Sequence, residues 1–155
     1  MTNHEKIGTY FARKVPDGWF RGGPRVQMDD DEILCVGELP AEASVQAFRV
    51  STRDERMAIA AEAESRFRRK VSWGVELAGE VTLFTSLGAP VMTRLRLPER
   101  AVLDTLVDAG VARSRSDALA WCVKLVGRHQ AEWLTDLRDA LVGVEKVRAE
   151  GPTLV

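Results

Sequence analysis

Three side chains between residues 91 and 97 have the types and spacing needed to read DNA bases. Met92, Arg94 and Arg96 occupy alternate positions, so in an extended segment all three would lie on one face. An arginine guanidinium donates two hydrogen bonds to O6 and N7 of guanine, a contact worth roughly 1–3 kcal/mol of discrimination between bases. The pattern predicts a base-contacting surface for double-stranded DNA. The alternative is an edge strand that exposes its arginines to solvent.

A second polar group follows further along the chain. Arg113, Ser114, Arg115 and Ser116 immediately precede a long apolar stretch. Serine is a frequent N-cap, and the free N–H groups at a helix N-terminus attract phosphate. Because arginine beside that terminus adds positive charge, these four residues are predicted to contact backbone phosphates.

A strand and two helices must position these two groups. The segment Val91–Leu97 alternates in polarity, which predicts a strand, and Pro98 suits the first turn of a helix. This first helix should end at Gly110, because glycine readily adopts the left-handed conformation of a helix cap. The second helix should begin near Ser114 or Ser116, both plausible N-caps.

The second helix is too apolar for one copy of the chain to bury. From Ala118 to Val126 every residue except Lys124 is apolar, which indicates burial on nearly all sides. A lone strand is also not a stable sheet. A second copy would supply the partner strand and the partner helix, so the sequence predicts an intertwined homodimer. The predicted dimer core contains Leu95, Leu97, Leu119, Trp121, Cys122, Val123 and Val126.

The order of these elements resembles a known family. Strand, proline, helix, glycine, basic turn and serine-capped helix follow one another in LRLPERAVLDTLVDAGVARSRSDALAWCV, and this order resembles the ribbon-helix-helix (MetJ/Arc-type) DNA-binding family. In that family paired strands enter the major groove as a two-stranded ribbon. The resemblance implies that Met92, Arg94 and Arg96 face base edges and that amides around Ser114–Asp117 hold a phosphate. It covers about a quarter of the chain, and a long segment precedes it, whereas the family's motif usually lies at a chain end.

Residues 1–88 are predicted to form an α+β module of antiparallel strands with one helix. A capping box at Thr52 and Glu55 should open the helix, which runs to Lys70. We find no serine or cysteine beside a base, no histidine cluster and no glycine-rich phosphate loop, so the chain is predicted to be no enzyme and to need no metal or cofactor. After a loose start at Met1–Lys6, strands are predicted over Gly8–Val15, Arg25–Met28, Ile33–Leu39, Phe48–Val50, Val71–Leu77 and Val81–Thr85.

A C-terminal amphipathic helix is predicted from Gln130 to Ala149, after a break or kink at Gly127. Its apolar stripe should pack on the α+β module or across the dimer, and the alternative is a groove on a partner protein. The stripe consists of Trp133, Leu134, Leu137, Leu141 and Val144. The predicted organisation is therefore an α+β module at 1–88, a ribbon-helix-helix unit at 89–127, and a helix and tail at 128–155.

Composition excludes several classes of protein. With 45% hydrophobic and 29% charged residues the chain has the composition of a globular protein, and a net charge of −1 argues against indiscriminate nucleic-acid binding. Charge is uneven, however, since seven Arg or Lys and four Asp or Glu lie between Pro90 and His129. Cys35 and Cys122 alone make neither a disulfide framework nor a zinc motif. No leader peptide and no apolar run of about 18 residues is present, so we expect a cytoplasmic, nucleoid-associated protein without membrane contact.

These observations predict a sequence-specific DNA-binding transcriptional regulator, a repressor for example, that acts as a homodimer or a pair of dimers. Two other hypotheses remain open. One is an antitoxin-like or scaffold protein whose main partner is another protein. The other is an N-terminal sensor that binds a small molecule or RNA, with the ribbon-helix-helix unit serving assembly.

Overall fold

The computed structural model describes residues 2–152, which form six helices and a four-stranded sheet. The predicted mixed α+β class is confirmed. The chain divides into two compact units, Met1–Val91 and Met92–Val155. The predicted tail beyond Pro152 lies outside the described residues. The elements are α1 (Asn3–Lys14), β1 (Arg25–Met28), β2 (Glu32–Glu38), α2 (Val45–Ser51), α3 (Arg53–Phe67), β3 (Lys70–Leu77), β4 (Glu80–Leu83), α4 (Leu97–Asp108), α5 (Arg115–His129) and α6 (Ala131–Glu150).

The sheet of the N-terminal unit has the order β1-β2-β3-β4. The two predicted hairpins, β1–β2 and β3–β4, are antiparallel as expected. The central pair, β2 and β3, is parallel, which corrects the prediction of an antiparallel module; Cys35 lies opposite Trp73 in its register. A parallel pair needs a long crossover between its strands, and α2 and α3 provide it.

The predicted strand Gly8–Val15 is wrong, because this segment belongs to α1. The residues that α1 buries, Ile7, Tyr10 and Phe11, have helical spacing, and the pattern begins one residue before the window that suggested a strand. The predicted loose start is wrong as well. Thr2 Oγ1 accepts from the amide of Glu5 at 3.2 Å, and Glu5 Oε2 accepts from the amide of Thr2 at 2.6 Å, so a capping box opens the helix.

The predicted strand Phe48–Val50 and the predicted capping box at Thr52 are also wrong, for a common reason. Phe48–Val50 lies in α2, and α2 continues almost directly into α3. Thr52 Oγ1 therefore donates back to the carbonyl of Phe48 at 2.6 Å instead of capping α3. The helix predicted up to Lys70 ends at Phe67, since Arg68 has a left-handed conformation with φ of 59°.

The core of the N-terminal unit lies between the helices and one face of the sheet. Trp73 from β3 stacks edge-to-face on Phe11 from α1, with ring centroids 5.8 Å apart. Ala63 on α3 and Cys35 on β2 are fully buried in the same cluster. The N-terminal unit thus has a core of large apolar side chains within itself, although others such as Met57 and Leu83 stay exposed. The core residues are Ile7, Tyr10, Phe11, Val15, Phe20, Ile33, Cys35, Leu39, Ala63, Trp73, Val75 and Phe84.

The C-terminal unit begins its first two helices where local signals predict. Pro98 lies in the first turn of α4, Gly110 has a positive φ of 77°, and Ser114 is the N-cap of α5. The predicted break at Gly127 is wrong, because α5 passes through this residue and ends at His129. A single glycine lowers helix propensity by only about 1 kcal/mol relative to alanine, which the helix tolerates.

Candidate nucleic-acid interface

The three predicted base-contacting residues lie in an extended segment before α4. Residues 85–96 form no helix or strand within this single chain, and Leu97 opens α4 instead of closing a strand. Met92, Arg94 and Arg96 are exposed, Met92 with 92% of its surface accessible. Within residues 2–152 neither guanidinium has a hydrogen bond or an ion pair. Both are therefore free to contact a ligand.

Leu95 anchors the middle of the extended segment. It packs against the small core of the C-terminal unit, between the two exposed arginines. Its carbonyl also accepts a hydrogen bond from Arg100 Nη1 at 2.6 Å. Of the four residues that the predicted alternation places inward, only Leu95 is partly buried, with Arg94 and Arg96 exposed on either side of it. Thr93 is exposed, and Val91 and Leu97 are 86% and 70% exposed, so the alternation does not extend beyond Leu95.

The N-terminus of α5 already satisfies part of its hydrogen-bonding capacity. Ser114 Oγ accepts from the amide of Asp117 at 3.1 Å, and Asp117 Oδ2 accepts from the amide of Arg113 at 3.0 Å. The amides of Arg115 and Ser116 have no side-chain acceptor in the described part of the chain. These two amides, with the exposed side chain of Arg113, could still receive a phosphate oxygen.

Arg115 has an intramolecular partner that the sequence did not reveal. Its Nε donates to Asp104 Oδ1 at 2.7 Å and its Nη2 donates to Asp104 Oδ2 at 2.9 Å. This is a bidentate contact between α5 and α4. These hydrogen bonds lower the pKa of Asp104 and raise the pKa of Arg115. The pair joins the two helices across the turn and uses two of the five N–H groups of the Arg115 guanidinium within the chain.

The predicted dimer core is divided between covered and uncovered side chains. Leu119 and Cys122 pack on the small core formed by Leu103, Ala112 and Ala118. The rest of the apolar surface of α5 stays exposed. Exposed fractions there are 39% for Trp121, 66% for Val123 and 50% for Val126.

Helix α6 has no buried residue at all among those described. The predicted apolar stripe exists as a surface: Trp133 is 56% exposed, Leu137 43% and Leu141 56%. A contiguous apolar surface of this extent is characteristic of an interaction site. In the same unit, the exposed apolar residues of α5 add to this stripe on α6.

Other kinds of site find little support in residues 2–152. No group of three or more His, Cys, Asp or Glu side chains is placed to hold a metal ion there. Both cysteines are free, and burial raises the pKa of Cys35 to about 12. None of the helices described is both long enough and apolar enough to cross a membrane.

Comparison with known proteins gives relatives for both parts of the chain. The model of the Rv1265-like protein N-terminal domain matches residues 5–83, and the model of the Mb1296 C-terminal domain matches residues 96–148. Uncharacterized protein Mb1296 of Mycobacterium bovis and uncharacterized protein Rv1265 of Mycobacterium tuberculosis are each 56% identical over 157 residues, covering 94% of this chain and 70% of theirs. No solved structure matches the chain significantly.

Proposed function

The chain belongs to the Rv1265-like family, and we propose that it is a sequence-specific DNA-binding transcriptional regulator that acts as a homodimer. In this proposal residues 91–126 form a ribbon-helix-helix unit, and the extended segment before α4 pairs with its counterpart in a second copy. The regulator would then be found in the cytoplasm on the nucleoid. Neither its operator sequence nor an effector follows from the fold.

The observation that carries the proposal is the extended segment itself. It has no partner strand within the chain, free arginine side chains on one side, and Leu95 held against α4 and α5 on the other. The carbonyls of Leu95 and Arg96 already accept hydrogen bonds from Arg100, and a paired strand would satisfy backbone groups of residues 92–96 that these contacts leave free. Pairing about a two-fold axis would place Arg94 and Arg96 of both copies on one ribbon, which fits the width of the major groove.

The uncovered apolar residues of α5 support the homodimer. Val123 and Val126 lie on the same side of α5 as Leu119 and Cys122, which already pack on α4, so a partner helix laid against these valines would extend the core, while Trp121 lies on the opposite side of α5. Burying a large aliphatic or aromatic side chain contributes about 1.5–3 kcal/mol. An isologous two-fold contact uses the same surface from both copies, and the exposed face of α5 provides such a surface.

Phosphate contacts in this proposal come mainly from Arg113 and from the amides at Arg115 and Ser116. Arg113 keeps 95% of its side chain exposed despite a 3.9 Å approach to Asp117. Arg115 has a different primary role here, since Asp104 holds its guanidinium. Ser114 caps the helix and orients the amides rather than contacting DNA through its own hydroxyl.

Selection of binding sites from a random pool of duplex DNA, followed by fluorescence anisotropy on the selected duplex, tests the proposal. We expect Arg94→Ala and Arg96→Ala to reduce affinity for the selected duplex by about tenfold or more, with little effect on nonspecific duplex. Arg113→Ala should weaken binding to all duplexes alike and reduce the salt dependence. The matched control is Arg138→Ala on α6, an exposed arginine of the same unit that removes the same charge.

Two outcomes would contradict the proposal. One is failure to enrich any sequence from the pool. The other is equal loss of affinity in Arg96→Ala and Arg138→Ala, because a nonspecific charge effect would then explain binding.

A protein-binding role is a second candidate, favoured by the exposed stripe of α6. An amphipathic helix without a buried residue is suited to a groove on a partner. Purification from the native host should then recover a second chain in stoichiometric amount. Leu137→Asp should lose that chain while Glu145→Ala, also on α6, retains it; equal recovery in both variants would exclude the stripe as the contact.

A further inference from the structure

Arg56 is the only charged side chain among the buried residues of the part of the chain that the structure describes, with 6% of its surface exposed. Its Nε donates to Thr52 Oγ1 at 3.0 Å and its Nη2 donates to the carbonyl of Arg49 at 2.7 Å. The guanidinium also lies 4.8 Å from the ring centroid of Phe84. All of these partners are neutral, whereas a buried cation ordinarily has a carboxylate beside it.

A second arginine approaches the same ring. The guanidinium of Arg49 lies 5.3 Å from the centroid of Phe84, and its Nη2 reaches the carbonyl of Phe84 only weakly, at 3.5 Å. Arg53 follows at the start of α3. Burial first, and then the positive charges of Arg49 and Arg53, lower the pKa of Arg56. Three arginines therefore lie at the junction of α2 and α3, where Asp54 and Glu55 in the first turn of α3 offset part of their charge and Asp54 approaches Arg53 to 3.8 Å.

Support of the local backbone explains part of this arrangement. Arg56 satisfies a carbonyl in the last turn of α2, where a cation is favourable. That contact and the bond to Thr52 use two of the five N–H groups that a guanidinium carries. Arg56 Nη1 is not among the buried polar atoms without a partner, so this nitrogen keeps some contact with solvent although the residue as a whole is only 6% exposed. The backbone contacts leave the charge itself unbalanced.

We propose that Arg49 and Arg56, held on the ring of Phe84, form a binding site for a phosphate group. Two guanidinium groups carry the charge that a phosphate dianion neutralises, and their planar forks suit its oxygens. Free phosphate, a phosphate ester of a small molecule and a nucleic-acid backbone share this chemistry, and the titrations below distinguish them. This site lies in the N-terminal unit and goes beyond the DNA contacts proposed for the extended segment before α4.

Calorimetric titration of the full chain with inorganic phosphate, at ionic strength held constant with chloride, tests the site. We expect saturable binding by the native chain. Arg49→Ala should weaken it by about tenfold or more, the equivalent of one charge-assisted hydrogen bond. Arg53→Ala is the matched control: it removes an exposed charge next to the site without touching Phe84, and should change the affinity by no more than about twofold.

The source of the phosphate is distinguished by two further titrations, with glycerol phosphate and with a short single-stranded oligonucleotide. Preference for the monoester over the oligonucleotide indicates a small-molecule ligand, and the reverse preference indicates nucleic acid; in either case Arg49→Ala must weaken binding. The double variant Arg94→Ala/Arg96→Ala should retain phosphate binding, which separates failure of this site from failure of the proposed DNA-binding function.

Arg56→Lys provides a second test, since it keeps the positive charge but loses the planar guanidinium group. Circular dichroism establishes whether this variant is folded. If Arg56→Lys does not fold, the phosphate affinity of Arg49→Ala alone tests the proposed site. The proposal is overturned if phosphate gives no saturable heat beyond chloride. It is equally overturned if Arg49→Ala binds phosphate as the native chain does, or if Arg53→Ala loses as much affinity as Arg49→Ala.

Discussion

The N-terminal and C-terminal units of this chain differ in how many of their large apolar side chains they bury. The N-terminal unit surrounds Phe11, Ile33 and Val75 completely. Among its residues up to Pro152, the C-terminal unit fully buries only Leu103, Ala112 and Ala118, and leaves large side chains of α5 and α6 exposed. Both units have well-formed helices, so helix formation does not account for the difference.

The difference follows from what each unit has to pack against. A four-stranded sheet presents a broad face on which α1 and α3 bury their apolar sides. The C-terminal unit has no sheet within the described residues, and two short helices can cover each other only along one line of contact. The homodimer proposed above would cover the apolar surface that these helices leave exposed.

The largest effect is expected from Phe11→Ala. Deleting a fully buried aromatic side chain should lower the free energy of unfolding of the N-terminal unit by about 3–5 kcal/mol. Chemical denaturation in a Trp121→Phe/Trp133→Phe background measures it, because fluorescence then reports only the N-terminal tryptophans. A midpoint that shifts with protein concentration would contradict the view that this unit is self-contained.

The two cysteines, one in each unit, provide a chemical comparison. Burial raises the pKa of Cys35 from 9.0 to about 12, so its thiolate population at a given pH should fall about a thousandfold. Cys122 is half-buried, and we expect it to react with iodoacetamide far faster than Cys35 does. The reaction of Cys122 should slow as the protein concentration rises, because the homodimer then covers its thiol. Mass spectrometry of alkylated peptides measures both rates. A Cys122 rate independent of concentration while dimer is present would exclude it from the interface.

Val126→Asp should raise the dissociation constant of the homodimer by about a hundredfold, because it places an unpaired carboxylate in an apolar contact. Val81→Asp on β4 is the matched control, since both valines are 50% exposed in the single chain. Sedimentation velocity over a concentration series measures the change. If Val81→Asp dissociates the dimer as strongly, the interface includes the sheet edge and the comparison between the units is wrong.

The smallest effect concerns the Asp104–Arg115 pair. Arg115 lowers the pKa of Asp104, so the pair stabilises the fold above the unfolded-state pKa near 3.8, and this contribution is lost as pH falls through the lower folded-state value. Asp104→Asn should lower the Tm by a few degrees at most near neutral pH, a difference that shrinks below the unfolded-state pKa and disappears below the folded-state pKa. Asp108→Asn on the same helix is the control, and calorimetry at several pH values measures both. A difference that persists at the lowest pH would mean that Asp104 acts through packing rather than charge.

Sequence reasoning succeeded where a signal acts within one turn of the chain. Pro98, Gly110 and Ser114 locate the ends of α4 and α5, because fixed φ, positive φ and a capping hydroxyl each act on neighbouring residues. It failed at α1 and α2, where alternation over a few residues concealed helical spacing in a longer window. The exposure of Arg94 and Arg96 agrees with their predicted place on the outer face; their contact with DNA stays a prediction.

The sequence by itself determined the α+β class, both antiparallel hairpins, and the excess of apolar side chains on α5 and α6. Only the tertiary structure decided that β2 and β3 run parallel, that Asp104 holds Arg115, and that Arg56 is buried on Phe84 without a carboxylate. The physical reason is separation along the chain. Caps and turns depend on residues a few positions apart, whereas these contacts join residues that become neighbours only when helices and strands pack.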